Sequence, residues 1–219
     1  MSEPRLESDE FKRGPGGRPT REDAERRHNS LLATATRLFL GKGWEATSID
    51  EISRESGVAK RFIYARYADK AALFVGALER FIEQRVGVFQ RSEALSDNVE
   101  DGLYRLGRKI LDLALSSEAL AFHRLFMAAA AHFPGLARLF VERQRQGGAL
   151  GEIRHVLAAY IDRDAIEPGD LEIRAEQFFI LVVGIPQRMA SFIGREPPAA
   201  EEHRLRAAIR LFLDGCRKR

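Results

Sequence analysis

Between residues 20 and 133 the chain contains no proline, and this gap constrains the fold more than any other feature. Proline removes a backbone donor and clashes with the preceding helical turn, so long helices need stretches without it. Within the gap, apolar residues recur three and four apart, as at Leu31, Ala35, Leu38 and Phe39. The same spacing returns near the C-terminus at Leu205, Ala208, Ile209, Phe212 and Leu213, the period of a one-sided helix. No Asn-Gly or Asp-Gly hairpin turn joins two alternating runs. The pattern predicts an all-α protein.

Length and charge narrow the class. At 219 residues the chain is long enough to bury a substantial core in one or two domains. Its formal charge is only +3, from 35 basic and 32 acidic residues, and few of the bases are lysine, so the basic balance alone says little about partners. The single cysteine, Cys216, rules out an intramolecular disulfide framework. The longest apolar runs, 125–131 and 178–183, fall far short of the roughly 18 residues of a membrane span. The first 17 residues hold no apolar stretch of the signal-peptide kind. A soluble cytoplasmic protein with no membrane partner is expected.

Local signals divide the chain. Residues 1–20, broken by Gly14–Gly17 and basic toward their end, read as a flexible arm. A first helix runs from about Arg21 to Leu40, stopped by Gly41 and Gly43. A second starts at Ser48 with Glu51 three residues on, a capping box, and ends at Gly57, where a left-handed turn needs no side chain. A third covers about 59–67, and a fourth begins at Asp69, a good N-cap, and runs to about Arg91. Later helices are expected at about 97–115, 118–132, 134–146, 149–162, 170–193 and 198–217. Pro186 should kink the penultimate one or end it early.

The stretch 48–67, SIDEISRESGVAKRFIYARY, carries the functional signal. Ile49 and Ile52 share one face of the second helix. Val58, Ile63 and Tyr67 point inward from the turn and the third helix, and Leu38 and Phe39 supply the opposite wall. Two short helices about a glycine turn form a helix-turn-helix, whose second helix can enter a major groove. The outward set is then Lys60, Arg61, Phe62, Tyr64 and Arg66. Arginine and lysine pair with guanine edges, and an exposed phenylalanine can meet a thymine methyl.

The segment from about Arg26 to Val86 resembles the DNA-binding domain of the TetR family of transcriptional regulators. The resemblance rests on Ala35, Leu38-Phe39, Gly43-Trp44, Ala46 to Ile49, Ile52, Gly57-Val58, Ile63-Tyr64, Tyr67, Lys70 and Leu73-Phe74. It implies phosphate contacts from Thr47, Tyr64 and Lys70, with Ser48 beside them, and base reading by Lys60, Arg61 and Phe62. Ala59 stands where the family often has a capping Ser or Thr, Arg61 where Gly is common, Arg66 for His and Ala68 for Pro. The extra arginines mean that an operator cannot be borrowed from relatives. Arg18, in GGRPTR, is either a minor-groove arm or part of a tail without specific contacts.

The segment 122–143 looks like the AcrR/AefR-like subgroup of the same family. The resemblance implies an N-terminal three-helix helix-turn-helix domain (21–86) and a larger helical ligand-binding and dimerisation domain (87–219). A small apolar or aromatic effector would bind among its central helices, with Phe122, Phe126, Met127 and Phe133 as candidate lining; such a stripe is also what plain core looks like. The family's homodimers join through the last two helices, making Phe178, Phe179, Val182, Ile185, Met189, Leu205, Ile209 and Phe212 candidate contacts. A single-chain core would equally use an all-apolar helix.

Other chemistries find little support. His123 and His132 are nine residues apart and face opposite sides of a helix, so no metal site is assigned. Asp162, Asp164, Glu167 and Asp170 read as a solvated loop, and Cys216 as packed core. Gly147-Gly148-x-x-Gly151 follows a helix, so it is not a dinucleotide fingerprint, and no nucleophile elbow or zincin motif occurs. No catalytic residue or cofactor is assigned. The expected function is a ligand-responsive regulator, most simply a repressor, bound to palindromic double-stranded DNA. The alternatives are an interaction module that kept the fold without reading DNA, and a helical enzyme with an unrecognised pocket.

Overall fold

In a computed structural model of the chain, the described residues are 21–87, 95–130 and 132–216. They form eleven α-helices and no strand. In chain order these are α1 (Arg21–Ala46), α2 (Ile49–Ser56), α3 (Lys60–Tyr64), α4 (Lys70–Gly87), α5 (Val99–Ala114) and α6 (Ser117–Ala129). There follow α7 (Pro134–Gln146), α8 (Gly148–Asp162), α9 (Leu171–Phe179), α10 (Ile185–Ile193) and α11 (Pro198–Asp214). Residues beyond about Gly87 in the expected fourth helix lie outside the described set.

Two apolar clusters hold the helices. The first gathers Leu31, Leu38 and Phe39 of α1, Ile52 of α2, Ile63 of α3 and Leu73, Phe74 and Leu78 of α4. It also takes Phe122, Leu125 and Ala129 from α6 and Leu136 from α7. The second lies among α5, α8, α9, α10 and α11, with Leu103, Ile110, Ile153, Tyr160, Phe178, Leu205 and Phe212 at its centre. Helix α4 reaches the second region through Arg85, which donates to the Leu113 carbonyl of α5 at 3.1 Å and pairs with Glu118 of α6 at 3.2 Å, while Glu83 pairs with Arg143 of α7 at 3.2 Å.

The caps explain the boundaries. The Ser48 hydroxyl accepts from the Glu51 amide at 3.1 Å, but the Glu51 carboxylate goes to Lys42 instead of returning to the cap, so only half of the expected box forms. Gly57 takes φ 68°, a left-handed value that favours glycine. Asp69 accepts from the Ala72 amide at 2.8 Å. Helix α1 passes through Gly41 and breaks at Gly43, with φ 84° and ψ 174°.

Pro186 does not end the penultimate helix. Ile180–Gly184 widen into a π-helical turn, and Pro186 falls in the first turn of α10, where a missing amide costs little. Beyond α10, the buried Glu201 carboxylate accepts from Arg195 Nε at 2.9 Å, while Arg195 reaches Asp112 of α5 at 3.2 Å. This cluster fastens the loop between α10 and α11 to α5.

Candidate nucleic-acid interface and effector cavity

The reading head is built from the inside outward. Ile52 and Ile63 are fully buried, and Ile49 and Val58 nearly so, so α2 and α3 are pinned by their inner faces. Their turn is tied by two serines that the sequence reading passed over. Ser53 donates its hydroxyl to the Val58 carbonyl at 2.7 Å, and Ser56 Oγ accepts from the Val58 amide at 3.2 Å. Ser and Thr make such local bonds routinely, but spacing does not reveal which will form. At the far end of α3, Tyr67 Oη lies 2.7 Å from His28 Nε2 of α1. Burial holds the His28 pKa below its ordinary value, and Arg66 and Arg80 add to the depression.

The outward face then separates into free and occupied groups. Arg61 and Tyr64 are exposed and make no side-chain bond among the described residues. Lys60 Nζ sits 2.6 Å from Asp50 Oδ1 of α2. The Arg66 guanidinium lies 3.8 Å from the centroid of Phe62, a cation–π contact. Phe62 is therefore half-buried rather than the fully exposed ring expected from sequence. Lys70 Nζ lies 4.3 Å from the Trp44 centroid and 3.5 Å from the Glu45 carbonyl, at the start of α4 on the same end of the head. Ser48 is exposed, its hydroxyl serving the N-cap.

Thr47 requires a correction. It is 1% exposed and donates its hydroxyl to the Gly43 carbonyl at 2.8 Å. A hydroxyl spent inside the turn after α1 cannot reach phosphate, so Thr47 closes that turn. Arg18 falls outside the described residues.

The ligand candidates scatter. Phe122 lines a cavity of about 100 Å³ with Ile82, Arg85, Ile110, Phe140, Phe179 and Gln187. Arg85 is held there by the Leu113 carbonyl at 3.1 Å and Ser116 Oγ at 3.4 Å; burial lowers its pKa, and Glu118 opposes the shift. Phe126 stacks on Phe122 and meets Phe140 at a tilt without lining the cavity. Phe133 lines a different groove beside Trp44. Met127, at 64% exposed, points to solvent and is corrected. Among the described residues no three His, Cys, Asp or Glu side chains group as metal ligands. Burial raises the Cys216 thiol pKa.

The dimer candidates are largely inverted. Phe178, Val182, Leu205, Ile209 and Phe212 are buried within the single chain, and Phe178 meets Phe212 edge-on at 5.1 Å. Groups with no surface left cannot bury more against a partner, so these five are core. Phe179 lines the small cavity, and Met189 is half-buried. The apolar groups left uncovered on the last helices are Ile173, Ile180, Ile185, Phe192, Ile193 and Leu211, with Phe192 at 79% and Ile180 at 62%. Of the original set only Ile185 belongs to this face.

Comparison with known proteins identifies the arrangement. The family model for the AefR-like transcriptional repressor C-terminal domain matches residues 101–215, over half of the chain, and that for bacterial regulatory proteins of the tetR family matches 31–77. The chain belongs to the TetR family. Among curated proteins, the HTH-type transcriptional activator FasR of Mycolicibacterium smegmatis is 33% identical over 90 residues, 40% of this chain and 41% of that one. The regulator AcrR of Shigella flexneri is 37% identical over 57 residues, 26% of each. The chain thus spans less than half the length of these curated relatives. Among solved structures, a TetR-family regulator from Mesorhizobium loti superposes with a TM-score of 0.77 at 25% identity, covering 91% of this chain and 100% of that one. The flavonoid-responsive regulator FrrA gives 0.71 at 27%, covering 89% and 99%. Members of the family are DNA-binding transcription factors rather than enzymes, and no helix among the described residues is long and apolar enough to cross a membrane.

Proposed function

We propose that the protein is a homodimeric, ligand-responsive repressor of transcription that acts in the cytoplasm. The observation that carries this reading is the α3 face, where Arg61 and Tyr64 stand exposed and unoccupied on a head whose inner side is fully packed. On a palindromic operator each subunit would insert α3 into one major groove. Arg61 and Lys60 would read base edges, and Ser48, Tyr64, Arg66 and Lys70 would hold the backbone, with Phe62 at the thymine methyl. The arm that contains Arg18 is proposed to follow the adjacent minor groove. The uncovered apolar groups of α9, α10 and α11 supply the face through which two copies would pair, and the AefR-like repressor match over 101–215 supports the repressor direction.

The effector is proposed to be an apolar or aromatic molecule, as suggested by the flavonoid-responsive relative and by Phe122, Phe140 and Phe179 around the central cavity. At about 100 Å³ that cavity is smaller than the few hundred Å³ of ordinary ligand sites. An effector would therefore enter only as the surrounding helices part, and α4 would carry the displacement to the head. A ligand shifts such an equilibrium only through its different affinity for the two states. Genomic-fragment selection with the purified protein, followed by footprinting, tests the proposal. A protected palindrome whose occupancy falls on adding an aromatic effector is expected. No enrichment even at low salt would overturn the DNA-reading role, and transcription that rises with occupancy would reverse the sign of regulation.

A further inference from the structure

A second concave site lies outside the central cavity, between the end of α1 and the end of α6. It encloses about 470 Å³, within the range of sites for small organic ligands. Trp44 and Phe133 form its aromatic walls over the buried Phe39, and Lys42, Glu45, Arg124 and His132 are the charged or titratable groups around it. Trp44 meets Phe133 edge-on at 5.4 Å. The positive charge is not all committed: Lys42 is paired with Glu51, whereas Arg124 is exposed and makes no ion pair among the described residues. Glu45 is the one carboxylate in a lining that also holds Lys42, Arg124 and His132. A flat apolar body against the rings, with one anionic group held by Arg124, matches both the walls and the charge.

We infer that this groove is a binding site for small aromatic carboxylates, separate from the central cavity. Trp44 is its inner wall and also the ring on which Lys70 rests, so an occupant touches the residue that positions a cation at the start of α4. The site is thereby coupled to the head without passing through the central cavity.

Isothermal titration calorimetry of the full chain with 2-naphthoate, with the neutral 2-naphthylmethanol in parallel, tests the inference. Trp44 is the only tryptophan, so its fluorescence lifetime locates the ligand. One site per chain is expected, with a Kd of about 1 mM or tighter, accompanied by a shortened Trp44 lifetime. The neutral probe and Arg124→Ala should each weaken binding about tenfold, the scale of one charged hydrogen bond. Ala128→Leu, which puts a good helix former on the exposed wall of the groove, should remove binding with the helical content unchanged. Absence of saturable heat would overturn the inference. So would binding that ignores both Arg124→Ala and Ala128→Leu, since the probe would then sit elsewhere.

Discussion

The two apolar clusters are finished in different ways. The cluster beneath the reading head is aromatic and closes within one chain, with Phe39, Trp44, Phe74 and Phe133 in successive ring contacts of 4.9–6.0 Å. It draws Phe122, Leu125, Ala129 and Leu136 from helices that belong by sequence to the C-terminal region. The second cluster buries its own centre, yet leaves Ile180, Phe192, Ile193 and Leu211 in solvent. The helices of the first leave Tyr64, Met127 and Val141 exposed; the second carries a larger set of uncovered apolar groups, of the kind that marks an association surface. On the proposed function, recognition falls to the first cluster and assembly to the uncovered face of the second.

The largest test of that contrast is Phe74→Ala. Removing a buried ring at the centre of the aromatic cluster should cost about 3–5 kcal/mol, read by urea unfolding. Light scattering should still report a dimer, because the buried Phe74 contributes nothing to the uncovered face. Loss of the dimer with the head would show that the two clusters are one unit. Next comes Ile180→Glu, which places a charge in the proposed pairing face. Sedimentation velocity should find a folded monomer, and operator affinity should fall by a hot-spot amount, about 2–4 kcal/mol. A dimer that survives would move the interface to another surface.

The reading face can be dissected more finely. Arg61→Ala should lose about 1–3 kcal/mol of discrimination at one base pair, whereas Lys70→Ala should weaken all sequences alike and lower the salt slope by about one. Equal losses on every sequence from both would remove Arg61 from the base readers. Asp50→Asn releases Lys60 from an exposed pair worth at most about 1 kcal/mol, so DNA binding should tighten slightly at low salt while stability barely moves. The smallest expected effect concerns pH. Since His28 titrates below its unfolded value near 6.5, the unfolded chain binds the proton first. Stability should therefore decline as pH drops through that range. Thermal unfolding of His28→Gln should show a shallower decline, and an unchanged slope would place the pH dependence elsewhere.

The helix-turn-helix was legible because its determinants are local. Ile49, Ile52, Val58 and Ile63 alternate inward at helical spacing, and Ser48, Gly57 and Asp69 punctuate the ends. What could not be read were choices among equivalent partners in space. Thr47 has the chemistry of a phosphate ligand, yet the break at Gly43 swings a carbonyl within reach and takes the hydroxyl. Phe178 and Phe212 have the character of an interface, and nothing in their periodicity says whether the other side is the same chain or another. The π-helical turn at Ile180–Gly184 adds to this, since it shifts helical phase part-way along the element that carries the uncovered face. A pattern read at a uniform 3.6 residues per turn marks the wrong stripe there.

The internal pairing of Lys60 with Asp50 bears on how the protein would travel as well as on what it would hold. Non-specific attachment to DNA comes almost wholly from cations meeting phosphate. A reading face with one cation partly neutralised by its own chain would grip random sequence a little less tightly. On the proposed reading, Lys60 would exchange Asp50 for a base edge only where a full set of contacts is on offer. Such a head would give up a little general stickiness and gain shorter pauses at wrong sites, which would speed the search for a rare operator.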